Sequence, residues 1–214
     1  MRRRDAEPTA PWALLSFALR YPEPGAREQL AAEVAALPAG AARAALERFV
    51  AAWDGAPAGF VETFDLRRRA SLYLTYYAHG DTRERGMALL RLKKLYRAAG
   101  LPMESKELPD HLCVMLAFAA LAPPGHGAAL LAEHRPAIEL LRLSLHDLGS
   151  PYAHVLDAVA DALPPLSVSE RGEVARLARE GPPDEAVGLE PYGPPEAMGG
   201  ADAVGRHGER SETA

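Results

Sequence analysis

Asp110 and His111 stand side by side in Glu107-Leu-Pro-Asp-His-Leu112. A carboxylate beside an imidazole is the pairing from which a general base, a metal-ligand set or a pH-sensitive contact is built. The simplest reading of a lone histidine in a helix's first turn is a structural hydrogen-bonding group, and the sequence supplies little to go beyond it. His134, His146 and His154 are scattered without the two-on-one-face spacing of an HExxH zinc site. The single cysteine, Cys113, excludes an internal disulfide and a CxxC cluster. It sits inside the apolar run from Leu112 to Ala122 and reads as a small buried hydrophobe, not a nucleophile. No GxxxxGK[ST] phosphate loop occurs. The expectation is a protein that is not an enzyme and that holds no cofactor or metal of its own.

The other candidate chemistry is recognition. Tyr73, Tyr76 and Tyr77 place three of the chain's seven tyrosines in five positions, just after Arg67, Arg68 and Arg69. The run Leu66 to Tyr77 has high β propensity, but its neighbours are helical and an isolated strand would have no partner for its backbone, so a helix is predicted. On that helix Tyr73 and Tyr77 share a face with Arg69 one turn earlier, while Leu72 and Tyr76 share the adjacent face. Tyrosine combines a large apolar body with a polar tip, which suits a groove that holds a peptide. The competing reading is that the rings are core.

Charge points to the same region. The net charge is -5, yet Asp65 to Gly100 carries nine Arg or Lys against three acids, so a basic surface lies on an acidic body. Such an arrangement steers anionic partners, or is simply a well-solvated helix. The acidic balance argues against a general nucleic-acid binder. The basic helix is predicted over 82–99, opened by a capping box at Asp81-Thr-Arg-Glu84 and closed by Gly100.

The elements that must position these groups are helices throughout. Trp12, Leu15 and Leu19 repeat as i, i+3, i+7 after Pro11, followed by Leu30, Val34 and Leu37, and by Leu46, Phe49, Val50 and Trp53. Leu89, Leu92, Tyr96 and Ala99 mark the buried side of the basic helix. Pro109 and Asp110 are read as the first turn of the apolar helix that follows. Pro136 and Ser150-Pro151 open two more helices, and Ser167-Val-Ser-Glu170 caps another. After Arg179 the Pro/Gly-rich composition predicts a flexible C-terminal tail over 181–214, with Val187 to Tyr192 as its one adhesive segment. The fold class expected is all-α, one helical domain over 1–180. The apolar run at 112–122 is far short of the roughly 20 residues that span a bilayer. Met1-Arg2-Arg3-Arg4 looks like the start of an export signal, but Asp5, Glu7, Pro8 and Pro11 interrupt what should follow, so the cytoplasm is expected.

Residues 60–121 resemble the NarJ-type molybdenum cofactor assembly chaperones, also called the nitrate reductase delta subunit, within the wider TorD-like redox-enzyme maturation chaperones. The resemblance rests on Phe64-Asp-Leu-Arg-Arg-Arg-Ala-Ser-Leu-Tyr-Leu-Thr-Tyr-Tyr77, Gly80-Asp-Thr-Arg83, Arg85-Gly-Met-Ala-Leu-Leu90 and Glu107-Leu-Pro-Asp-His-Leu112, with Val187-Gly-Leu-Glu-Pro-Tyr-Gly-Pro-Pro195 as a further match. It implies an all-helical chaperone that binds the N-terminal segment of the catalytic subunit of a respiratory nitrate reductase. The apoenzyme would be held open for insertion of molybdenum cofactor and iron-sulfur centre, and the chaperone would not stay in the finished enzyme. Contact with the cofactor-insertion machinery is a further implication. The client-binding set expected on this basis is Arg67, Arg69, Leu72, Tyr73, Tyr76, Tyr77, Asp81, Arg83, Pro109, Asp110 and His111. The alternative is a regulatory protein that uses the basic helix 82–99 for anionic partners.

Overall fold

The structure, a computed structural model, describes residues 11–103 and 106–181, without the side chain of Arg68. Eleven α-helices run in chain order among the described residues: α1 Trp12–Ala18, α2 Ala26–Ala36, α3 Ala41–Ala52, α4 Pro57–Phe60, α5 Leu74–His79, α6 Arg83–Ala98, α7 Leu112–Leu121, α8 His126–Glu133, α9 Arg135–Asp147, α10 Ala153–Asp161 and α11 Val168–Glu180. The all-α expectation holds. The helix α4 continues into a π-turn over Val61–Asp65, and a 3-10 turn covers Arg68–Ala70. None of these helices is long and apolar enough to cross a membrane.

The core is centred on α7. Its residues Leu112, Met115 and Leu116 are fully buried, as its near-continuous apolar sequence requires. It packs on α1 on one side and α8 on the other, while α10 packs on α3 and α9, and α11 covers α9. Ser16 in α1 donates to the carbonyl of Cys113 at 2.8 Å, and the Cys113 thiol donates to the carbonyl of Leu19, so α1 is hydrogen-bonded to α7 as well as packed on it. The α7–α8 contact is closer still. A Cβ on Gly127 would lie 2.2 Å from the Ala119 Cα, so only glycine fits there. A second aromatic cluster joins α3 to α10: Phe49 stacks on Trp53 at 4.9 Å, and Tyr152 meets Phe49 at 5.2 Å and Phe64 at 4.8 Å.

Local signals account for most helix ends. Ser167 and Glu170 form the reciprocal capping box at the start of α11. The C-terminal end of α6 is released by Gly100, whose φ of +76° suits a residue without Cβ. Three expectations need correction. The first residue before α6 is Thr82, with no side-chain cap, and Asp81 instead pairs with Arg85 at 3.0 Å. A charge-assisted bond one turn along wins over a bond to a backbone N–H.

The second correction concerns Leu66 to Tyr77, which is not one helix. After the 3-10 turn the chain is extended through Ser71 to Tyr73, and α5 starts only at Leu74. The missing strand partner exists in the segment before α7: Tyr73 and His111 form an isolated antiparallel bridge, with Leu112 N–H donating to Leu72 O at 2.8 Å and Leu74 N–H to Asp110 O at 3.0 Å. The third follows from it. Pro109 and Asp110 precede α7 instead of forming its first turn, and His111 is the capping residue. The segment expected as a tail lies outside the described residues from 182 onward.

Candidate functional site

The bridge is what brings the two candidate groups together. Because Tyr73 sits directly opposite His111, their rings meet edge to face at 5.1 Å. The Tyr73 hydroxyl donates to Glu107 at 2.9 Å. Burial pushes its pKa up to about 12, with the Glu107 hydrogen bond and charge adding to the shift, so it stays a phenol. The His111 Nδ1 accepts the N–H of Cys113 at 3.3 Å, which caps α7 and assigns the proton of the neutral ring to Nε2. Burial holds the His111 pKa below the ordinary histidine value against the opposing pull of Glu107 and Asp110. The neutral ring is therefore the resting form.

Behind this pair lies a buried anion. Asp110 is wholly inaccessible; Thr75 in α5 donates to its Oδ2 at 2.5 Å, and the Arg85 guanidinium stands 3.6 Å from the same oxygen. Its Oδ1 has no hydrogen-bond partner among the described residues. Arg85 also carries Asp81 and lies over the rings of Tyr73 and Tyr76 at 5.7 and 5.8 Å, so one guanidinium ties α6 to both tyrosines. The Tyr96 hydroxyl donates to the Pro109 carbonyl at 2.7 Å and pins the turn from the other side. Pro-Asp-His is held by α5 and α6 and presents His111 alone.

A groove of about 510 Å³ opens in front of His111. Leu19, Tyr21, Phe60, Phe64, Leu72, Val114 and Ala117 make it apolar, while Arg20, Asp65, Tyr73, Glu107 and His111 supply its polar groups. Tyr21 is half exposed and meets Phe60 edge to face at 5.6 Å, forming a lip. A smaller hollow of about 240 Å³ shares Phe64, Asp65, Ser71 and Tyr73 with the first and adds Arg67, Tyr76, Asp81 and Arg85. Tyr73 stands between the two.

The predicted residues divide accordingly. Leu72, Tyr73 and His111 line the groove; Arg67, Tyr76 and Asp81 line the smaller hollow. Tyr77 belongs to neither, being buried with its hydroxyl donating to the carbonyls of Arg69 and Ser71 at 3.1 and 3.0 Å. It shapes the extended segment from inside. The expected sharing of a face by Tyr73 and Tyr77 fails because Tyr73 precedes the helix. Pro109 and Asp110 are buried supports, Arg69 contributes its carbonyl, and Arg83 lies exposed in the first turn of α6. Neither Arg69 nor Arg83 lines these two cavities.

Sequence reasoning missed the opposite wall. Phe60 and Phe64, four apart, were a visible signal, as was Glu107 within the same hexapeptide as Asp110 and His111. Leu19, Arg20 and Tyr21 had no local signal, since only the packing of α1 on α7 brings them there. Among the described residues no group of three or more His, Cys, Asp or Glu is arranged to hold a metal.

Comparison with known proteins places this geometry in a class. The family described as nitrate reductase delta subunit matches residues 27–158. Over 100 residues the chain is 45% identical to the nitrate reductase-like protein NarX of Mycobacterium tuberculosis H37Rv, covering 47% of this chain and 15% of that protein. It is 36% identical over 116 residues to the probable nitrate reductase molybdenum cofactor assembly chaperone NarJ of Bacillus subtilis 168, covering 54% and 63%. To the nitrate reductase molybdenum cofactor assembly chaperone NarJ of Escherichia coli K12 it is 37% identical over 102 residues, covering 48% and 43%. Each match spans less than two thirds of the relative. The family match covers more than half of this chain, which therefore belongs to the nitrate reductase delta subunit family.

Proposed function

We propose that this protein is an assembly chaperone for a molybdenum-containing nitrate reductase and that its groove receives the N-terminal segment of the catalytic subunit. The observation that carries the reading is the apolar groove beside the Tyr73–His111 bridge, open to solvent and within the size range of ligand sites. Family membership and the names of the curated relatives support the client. An amphipathic helix laid in the groove would place apolar anchors against Tyr21, Phe60, Phe64 and Val114, and polar groups against Glu107 and His111. Binding before metal insertion keeps the client open for its cofactor and iron-sulfur centre, and the chaperone then leaves. On this reading the protein acts in the cytoplasm and catalyses nothing: the Cys113 thiol beside the groove donates to the Leu19 carbonyl and burial pushes its pKa up to about 12, while the His111 Nδ1 is taken by the Cys113 N–H.

Calorimetric titration with a synthetic peptide of the catalytic subunit's N-terminal segment, against a scrambled control, tests the proposal. Saturable binding with a negative heat-capacity change is expected, the mark of apolar burial. Tyr21→Ala combined with Tyr73→Ala should weaken it at least tenfold in a protein whose helical circular dichroism is unchanged. Equal affinity for the scrambled peptide, or an unaffected double mutant, would sink the groove assignment.

A further inference from the structure

The helix α6 carries a second surface, none of whose residues lines the groove or the smaller hollow. Ten of its sixteen residues are exposed and only Leu92 and Tyr96 are buried, so one narrow stripe holds it to the body and the rest meets solvent. Helical geometry sets Arg83, Met87, Leu90, Lys94 and Arg97 one after another along the outer side over about 21 Å, with Arg91 and Lys93 on the flanks. Met87 is 64% and Leu90 52% exposed. From Arg85 to its end the helix carries five cations and no acid. Lys93, Lys94 and Arg97 make no ion pair with any described residue, in contrast to Arg91, which Glu133 holds at 3.1 Å. A cation in a last turn complements the helix dipole, which accounts for Arg97 but not for the two lysines or the apolar pair before them. Single exposed apolar residues are ordinary; two neighbours set among unpaired cations mark a docking surface.

Its occupant has to be anionic along the row and offer an apolar layer to Met87 and Leu90. A nucleic-acid backbone meets the first condition only, and would leave both side chains against phosphate or water. A folded acidic protein presents carboxylates at fixed places, which the planar fork of arginine matches best. Two of the three unpaired cations here are lysines, compact charges on flexible stems that can follow groups of no fixed position. An anionic bilayer surface meets both conditions, with phosphates outside and an apolar boundary that side chains reach about 5–10 Å below. The net charge of -5 does not oppose the contact, because charges more than about 8 Å away are largely screened at physiological salt. We propose that α6 lies against anionic lipid, with Lys93, Lys94 and Arg97 on the headgroups and Met87 and Leu90 in the layer beneath. The contact is peripheral and reversible, on the order of the 10⁴ M⁻¹ of a single myristoyl chain. The groove and its client do not enter the argument.

The full chain is floated with vesicles of phosphatidylcholine alone and with vesicles holding about one third phosphatidylglycerol, below physiological salt. Binding is expected to the mixed vesicles only, and should weaken as salt is raised. In Lys93→Glu combined with Lys94→Glu it should fall at least tenfold, with the thermal midpoint unchanged because both side chains are exposed. Depth is read separately in Leu90→Trp, whose emission should be quenched by lipids brominated in the acyl chain; Trp12 and Trp53 are buried and give no such signal. Client-peptide affinity should stay as it was in both variants. Equal binding to neutral vesicles, binding that survives the charge reversal, or unquenched emission from the Leu90→Trp protein would overturn the proposal. No binding at all would do the same and leave this face to a protein partner.

Discussion

Tyr73 and His111 act as a unit because each is held by something other than the pair itself: Tyr73 by Glu107, His111 by the N–H it caps. Removing the hydroxyl alone, as in Tyr73→Phe, leaves the ring contact and should cost the fold only about 1 kcal/mol, read as a shift in the urea midpoint. Asp110→Ala is a different case. It leaves Thr75 and Arg85 without the buried anion they face and should destabilise by about 3 kcal/mol, on the scale of breaking a buried pair from one side. A loss below about 1 kcal/mol would mean that solvent reaches the cluster. The hexapeptide was legible as a candidate site, but its division of labour was not: sequence order makes Asp110 and His111 look like partners, whereas the chain turns over Pro109 and Asp110, with the His111 N–H closing on the Leu108 carbonyl, before His111 enters the bridge. One faces the interior and one the groove.

At the level of elements, periodicity identified the helices wherever apolar spacing was regular, as in α3, α6 and α10, because a helix must bury a continuous stripe. It failed over Leu66 to Tyr77, where the apolar residues are dense enough to satisfy either period and the deciding fact is a partner far along the chain. The far wall of the groove was hidden for the same reason. The α7–α8 contact supplies a sharp test at this scale. Gly127→Ala puts a methyl into the backbone of Ala119, which cannot swing aside as a side chain would, so a loss of about 3 kcal/mol or a failure to fold is expected. Ala119→Gly in the same protein should restore part of the loss, since it removes the Ala119 Cβ, the one side-chain atom among the three nearest, and leaves the backbone clash; no rescue would place the strain elsewhere.

For the molecule as a whole, acid should act in two stages. Burial holds His111 and His134 below the ordinary histidine value, so the unfolded chain binds protons that the folded one does not. Their contribution is present above about pH 6.5 and is lost as pH falls through the lower folded values. Glu139, hydrogen-bonded by Arg142 and Arg135, is depressed in the same sense, and so is Asp157, where His146 and Arg142 outweigh burial. A further loss is therefore expected only as pH falls below about 4. Urea midpoints measured from pH 8 to 3 should decline in these two steps, and His111→Gln should shrink the first while sparing the second. The same neutral His111 faces the groove, so on the proposed function peptide affinity is expected to hold from pH 8 to about 6.5 and to change only as pH falls below it; a profile that stays flat until the protein unfolds in acid would remove His111 from the contact.

The bridge between Tyr73 and His111 also closes a loop. Residues 74–110, with all of α6, leave the body at one rung and return at the next, and Tyr96 fastens the return through Pro109. From Gly100 to Met103 the chain connects points already secured, with Leu101 and Met103 packed on the core and Pro102 exposed between them. Lengthening a tether costs little, growing only with the logarithm of its length. The groove should therefore tolerate a Gly-Ser insertion after Pro102 with its affinity intact, whereas a single added residue between Leu72 and Leu74 would shift every contact it makes. The connection that follows the helix richest in positive charge can thus change in length while Arg85 and Tyr96 of that helix keep their hold on the groove.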